Sequence, residues 1–413
     1  MGGVLSGLDR VARGDLDLRG QRVGLLMHPA SVDRRLRRAD RVLTEAGATI
    51  AVLFGPEHGL DAAAQDLEPV ASSVKERDAR DSDPVGALAG EPRQGSLGGL
   101  PVISLYGDSA ACLAPRPEML EGLDALVVDL QDVGSRYYTY VWTATFALRV
   151  AARAGVPVIA LDRPNPLGGQ VVEGRPQRPG YLSFVGLRPV AVRHGMTLGE
   201  LLVMAQREEG LDDECLRVVR MEGWERHMDF EATGLPWVLP SPNMPTVETA
   251  FVYPGACLFE GTLWSEGRGT TRPFEIVGAP GTEGEALVRA MGPVPGARLR
   301  PLTFVPTFQK HAGMACGGVQ VHVDDRRTFR ATETYVRLLR AMLEGRDPAQ
   351  SPWRQEPYEH EVERPALDLL SGGPELRQRL SLGRDVEDWL ADERAGAEAF
   401  RDARAPYLLY EGA

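Results

Sequence analysis

Five short apolar runs recur through the first half of the chain: Arg22–His28 (RVGLLMH), Thr49–Gly55 (TIAVLFG), Leu100–Gly107 (LPVISLYG), Ala125–Asp132 (ALVVDLQD) and Val156–Asp162 (VPVIALD). Each is rich in Val, Ile or Leu without a polar alternation, the pattern of strands buried on both faces. Between several of them the period lengthens to that of a helix. Leu36, Ala39, Leu43 and Ala46 return every three or four residues, which predicts a helix capped by Asp33 and stopped by Gly47. Val141, Ala144, Leu148 and Ala151 repeat that spacing before Gly155, and Thr197 with Glu200 forms a capping-box pair ahead of Leu201, Leu202 and Ala205. Alternation of this kind predicts an α/β fold with a Rossmann-like, doubly wound, mainly parallel sheet.

The pattern changes near residue 235. Residues 235–254 are proline-rich and carry Trp237, Met244, Phe251 and Tyr253, as an ordered crossing does. Strand-like runs follow at Leu302–Phe308 and Gly318–Val323, then an amphipathic helix near Thr334–Leu343. Two domains are expected: 1–234, Rossmann-like and catalytic, and 235–413, a smaller α+β auxiliary domain completing the cleft. The acidic stretch after Pro352, ending in Pro406–Tyr410, is expected to pack on that second domain or on a partner.

Charge and composition narrow the partners. A net charge of −12 repels nucleic acid and anionic membrane surfaces. No apolar run approaches the roughly 18 residues that span a bilayer, and Met1–Arg10 lacks a basic segment followed by an apolar one, so a cytoplasmic location is expected. Cys112, Cys215, Cys257 and Cys316 lie far apart with no C-x-x-C spacing, which argues against structural zinc.

In open parallel sheets, ligands bind beyond the carboxyl ends of the strands. Those ends read His28-Pro29, Gly55-Pro56-Glu57-His58-Gly59, Tyr106-Gly107, Gln131 to Tyr140, and Asp162-Arg163-Pro164-Asn165-Pro166. No G-x-G-x-x-G follows the first strand, and phosphate-loop, G-x-S-x-G and H-E-x-x-H signatures are absent, which disfavours dinucleotide, P-loop, serine-hydrolase and zincin chemistry. What remains is a carboxylate-rich site suited to acid/base hydrolysis of a glycosidic bond, with no cofactor. Glu57, held in a tight turn, is the candidate acid. Asp132 is either a second carboxylate or the cap of a helix beginning near Tyr137. His58 and His194 orient a substrate or a carboxylate, or serve structure alone. A metal site built from His28, His58 and Asp132 has no ligand spacing in its favour, and no metal is expected. Ser265–Glu275 (SEGRGTTRPFE) interleaves glycine with arginine, either to hold an anion or as a solvated surface turn.

Six blocks in one order, GPEHG (55–59), QDVGSRYYTY (131–140), LDRPNPLGG (161–169), RHGMTLGEL (193–201), SPNMPT-ETA (241–250) and SEGRGTTRPFE (265–275), resemble the exo-β-N-acetylmuramidase family, the NamZ-type glycosidases of peptidoglycan turnover. The stretch 306–329 continues the likeness, which covers roughly residues 20 to 345. The resemblance implies a Rossmann-like domain, an auxiliary domain and a cleft between them. It also implies release of terminal β-1,4-linked N-acetylmuramic acid from the non-reducing end of cell-wall fragments. By position Glu57 matches the family's catalytic glutamate, with Gly55 where S-P-E-H-G has Ser; Leu263-Trp264 stands where an Asn-Val pair is expected. The lactyl carboxylate of that sugar calls for arginine, and Arg136, Arg163, Arg268 and Arg272 are the candidates. Gln131, Asn165, Asn243 and Glu266 complete the expected binding set with His58 and His194. The face opposite Glu57 falls to Asp132, to Tyr138 or to the substrate's own acetamido group. Another hexosaminidase, a metal-dependent deacetylase or a non-catalytic muropeptide-binding protein are the rival readings.

Overall fold

A computed structural model describes residues 3–60, 94–97, 99–107, 109–344 and 351–411. The apolar runs form the strands β1 (Arg22–Met27), β2 (Thr49–Gly55), β4 (Leu100–Ser104), β5 (Ala125–Asp129) and β6 (Val158–Leu161). Two further strands join them, β3 (Gln94–Leu97) and β7 (Leu216–Val219), in the order β3-β4-β2-β1-β5-β6-β7. Six strands are parallel; β3 alone runs antiparallel, on β4. Every residue of β5 and β6 is buried, as their unbroken apolar sequences require of central strands covered on both faces. β1 pairs with both β2 and β5, so the strand order reverses beside it, and the crevice such a reversal opens lies beyond the ends of β1, β2 and β5.

The covering helices are α1 (Gly7–Arg13), α2 (Ala39–Glu45), α3 (Tyr140–Arg153) and α4 (Leu198–Glu208). The predicted capping box at Thr197 and Glu200 is present on α4. The helix expected from Asp33 is not. The Asp33 carboxylate accepts from the backbone of Arg35 and Arg37 and pairs with the Arg37 side chain, tying a turn instead. Leu36 lies in that turn with a left-handed φ of 62° and 58% exposure, and α2 begins only at Ala39.

Beyond residue 235 a three-stranded antiparallel sheet forms in the order β8-β10-β9, from β8 (Ile276–Ala279), β9 (Ala297–Phe304) and β10 (Cys316–Val323). Helices Val247–Ala256 and Ala331–Leu343 pack on each other so closely that a Cβ at Gly255 would stand 2.1 Å from the Ala331 carbonyl oxygen. One buried core runs from Leu26 and Phe54 of the large sheet through Trp142 to Tyr335 and Phe400. The stretch after Pro352 starts on the second half of the chain, as one of the two expectations had it, with Trp353 bridged to Thr262 and Tyr358 bonded to Glu260, but its end, residues 406–410, settles on the first half. There Tyr410 donates to buried Asp162 at 2.6 Å and the Leu409 amide to Glu200 at 2.7 Å. The draw is polar: both carboxylates are buried, so burial pushes them above the usual range and each needs donors. No helix among the described residues is long and apolar enough to cross a membrane.

Candidate active site

Strand β2 delivers Glu57 one residue past Pro56, and the turn is completed by His58 and Gly59, both with left-handed backbone (φ 67° and 76°). Glu57 is 5% exposed. Its Oε2 accepts from the Thr139 hydroxyl at 2.5 Å, and its Oε1 stands 3.7 Å from His58 Nε2. Thr139 is the N-cap residue of α3; its side chain makes no cap bond, and its hydroxyl donates to Glu57 instead. The Glu57 carboxylate is thereby placed at the positive end of a helix of 14 residues.

Glu57 lines a cleft with His58, Tyr137, Tyr138, Thr139, Val185, Ser241, Asn243, Met244 and, from farther along the chain, Tyr253, Glu260, Arg268, Phe274, Tyr358 and Glu359. Its walls are aromatic: the Tyr138 ring lies 4.6 Å from Tyr140 and edge-on to Tyr253, which in turn meets Phe274 at 4.8 Å. Burial pushes the Tyr137 and Tyr138 phenols far above their usual range, although Arg136 opposes it at the first and bonds with Ser241 and Tyr140 oppose it at the second. Burial thus disfavours the phenolate form of Tyr138. Arg268 crosses the Phe274 ring at 5.0 Å and donates to Glu260 at 2.6 Å, and Tyr358 donates to the other Glu260 oxygen. Burial disfavours the charge on Glu260, but the Arg268 guanidinium and these bonds outweigh it and hold the carboxyl below its usual range. Glu266 closes the chain of charges, 3.4 Å from Arg268 and 2.7 Å from Lys310.

Of the residues singled out from sequence, Glu57, His58, Tyr138, Asn243 and Arg268 therefore share one cleft, with Glu266 one contact behind it. The others lie elsewhere. Asp132 accepts from the Gly134 amide at 2.8 Å, so it does not cap α3. His194 accepts from the Met196 amide at Nδ1, which leaves the proton on Nε2, 3.4 Å from Asp132. Gln131 and Arg163 line a separate small pocket beside Val32 and Phe230, and Arg163 is clamped on buried Asp129 at 2.6 and 2.7 Å. Asn165 is buried, donating to the Met196 carbonyl. The Arg136 guanidinium is fully buried and donates to the carbonyls of Arg175, Val190 and Leu370. Arg272 is half exposed beside Glu275. His28 accepts from the Gln131 amide at Nε2, and burial with the Arg163 charge keeps its ring neutral. Among the described residues no three His, Cys, Asp or Glu side chains converge as metal ligands. Sequence reasoning missed Thr139, Tyr253, Glu260, Phe274, Tyr358 and Glu359. Four of these stand inside or beside the quoted blocks, whereas Tyr358 and Glu359 carry no motif at all.

The family described as exo-beta-N-acetylmuramidase NamZ, N-terminal, matches residues 23–96 and 91–248, and its C-terminal counterpart matches residues 251–410. The peptidoglycan beta-N-acetylmuramidase NamZ of Bacillus subtilis (strain 168) is 40% identical over 397 residues, covering 95% of this chain and 88% of that one. A crystal structure of a DUF1343 family protein from Bacteroides fragilis NCTC 9343 superposes with a TM-score of 0.82 at 32% identity over 99% of both chains. A second DUF1343 protein of that organism shares the fold, with a TM-score of 0.70 at 24% identity over the whole of both chains. With both family halves matched in order along a fold of this kind, the chain belongs to the exo-β-N-acetylmuramidase NamZ family.

Proposed function

We propose that the protein is an exo-acting glycoside hydrolase that releases terminal β-1,4-linked N-acetylmuramic acid from the non-reducing end of peptidoglycan fragments. The observation that carries this reading is Glu57: a carboxyl buried at a strand end, held by Thr139 at a helix N-terminus, in an aromatic-walled cleft. The family and the named activity of the Bacillus relative supply the substrate class. Glu57 donates its proton to the leaving glycosidic oxygen. Tyr138, Tyr253 and Phe274 offer ring faces and edges to the sugar, and Arg268 is the arginine of the cleft for the lactyl carboxylate. Asp132 braces the loop between β5 and α3 that brings Tyr138 and Thr139 to Glu57. Residues 1–234 act as the catalytic lobe and 235–413 as the auxiliary lobe that closes the cleft with Arg268.

The test is hydrolysis of a chromogenic β-N-acetylmuramide beside the matching β-N-acetylglucosaminide, with E57Q as control. Cleavage of the muramide alone, abolished in E57Q while thermal unfolding is unchanged, is the expected result. Near wild-type turnover by E57Q removes Glu57 from the mechanism. Silence of the wild type on both substrates removes the reading.

A further inference from the structure

Left-handed backbone is rare for residues with a Cβ and persists where the surrounding structure imposes it, often at functional sites. Seven non-glycine residues among those described adopt it, and three of them line the Glu57 cleft: His58, Phe274 and Glu359. Glu359 is the one that no sequence block announces. Tyr358 and Glu361 exchange both backbone hydrogen bonds at 2.9 Å, so Glu359 and His360 are the two central residues of a two-residue hairpin turn. Both have positive φ, 48° and 64°. Turns with that geometry favour Asn-Gly, because those residues tolerate it. Here a glutamate and a histidine hold the positions instead.

The turn is clamped from the first half of the chain. The Tyr106 hydroxyl donates to Glu359 Oε2 at 3.2 Å, and the His360 ring lies edge-on to Tyr106 at 5.5 Å and to Phe184 at 6.3 Å. Glu359 is 5% exposed and lines the cleft that holds Glu57. The third carboxylate of the cleft, Glu260, is committed to Arg268 and Tyr358. Asp132 is not among the residues lining the cleft.

We propose that Glu359 is the second catalytic carboxylate, acting as base on the attacking water. This rests on the reading of Glu57 as acid. The water oxygen bonds to the anomeric carbon while Glu359 takes one of its protons. The pair of the breaking C1–O bond passes to the leaving oxygen, which takes the proton of Glu57. Exchange with solvent then resets both carboxyls, and the sugar leaves with inverted configuration.

The experiment compares wild type, E359Q and E359A on the chromogenic β-N-acetylmuramide, with and without azide, following the first-formed anomer by NMR. The expected result is a loss of 100-fold or more in kcat for both variants, with KM and thermal unfolding little changed. An inverted hemiacetal from the wild type and an α-glycosyl azide from E359A complete it, since a merely structural glutamate is not replaced by an external anion. Full activity of E359Q in an active wild-type background overturns the proposal and leaves the hydrolase reading standing. So does a retained product, or the lack of azide rescue in folded, sugar-binding E359A. An inactive wild type overturns both.

Discussion

Glu393 offers a test of the energetics away from the cleft. It lies on the helix Glu387–Arg404, 3% exposed, where its carboxylate accepts from the Arg175 amide at 2.8 Å and faces the Arg175 guanidinium at 2.9 Å. Burial dominates over that amide and over the charges of Arg175 and Arg136, and raises the carboxyl from 4.5 to about 7. Below the unfolded value the group is protonated in both states and adds no penalty. As pH rises the unfolded chain releases the proton while the folded one keeps it, so stability falls until the folded carboxyl ionises near neutrality. At about 1.4 kcal/mol per pH unit, the displacement corresponds to about 3 kcal/mol lost between pH 4.5 and 7. Asp129, Asp162 and Glu200, also raised by burial, tilt the whole curve the same way. The informative quantity is therefore the difference between wild type and E393Q, whose amide keeps the shape and does not titrate. Urea unfolding from pH 4.5 to 7.5 should show E393Q gaining about 3 kcal/mol on the wild type across that interval. Parallel curves for the two proteins, or a gap that narrows with rising pH, would refute the reasoning.

Two other outcomes are expected. Thr139→Val removes the hydroxyl that holds the Glu57 carboxyl in place, and an ordinary hydrogen bond is worth about 0.5–1.5 kcal/mol net; kcat/KM on the muramide should fall by roughly two- to tenfold, and an unchanged value would detach Thr139 from the acid. Leu36→Gly relieves an exposed left-handed residue far in sequence from the cleft residues. The αL penalty of about 1–2 kcal/mol less the entropy of glycine, about 0.5–1 kcal/mol, leaves a gain of about 0.5–1 kcal/mol, read as a higher urea midpoint with kcat unaltered.

The central strands were legible because nothing but double-sided burial explains unbroken Val, Ile and Leu runs such as ALVVD. β7 (LRVV) and β8 (IVGA) escaped for the opposite reason, being four residues each and interrupted by Arg or Gly. At Asp33 a helical period was present, but a side chain that satisfies two backbone amides and an arginine outcompeted it. The site divides along the same line. Glu57 was visible because its turn chemistry is local: proline before it and glycine two residues later. Glu260 and Glu359 reach the cleft only through tertiary packing, and Glu359 does so on a turn whose residues contradict turn preference. Arginine was the weakest guide, since Arg136 serves three carbonyls and Arg163 one buried aspartate, neither of which spacing reveals.

The bond from Tyr410 to Asp162 joins residues 248 apart in sequence. A chain emerging at about 5–20 residues per second exposes Asp162 for on the order of ten to fifty seconds before its phenol partner exists. During that interval the end of β6 holds an aspartate that the finished fold buries, and Glu200 waits through 209 residues for the Leu409 amide. The sheet can pair its strands early, and Thr197 and Gly199 can already donate to Asp162, but the Tyr410 donor is missing until residues 404–410 dock. The ribosome thus sets a lower bound on when this molecule becomes fully native, and a nascent chain halted before Arg404 should remain sensitive to protease at the β6–α4 connection.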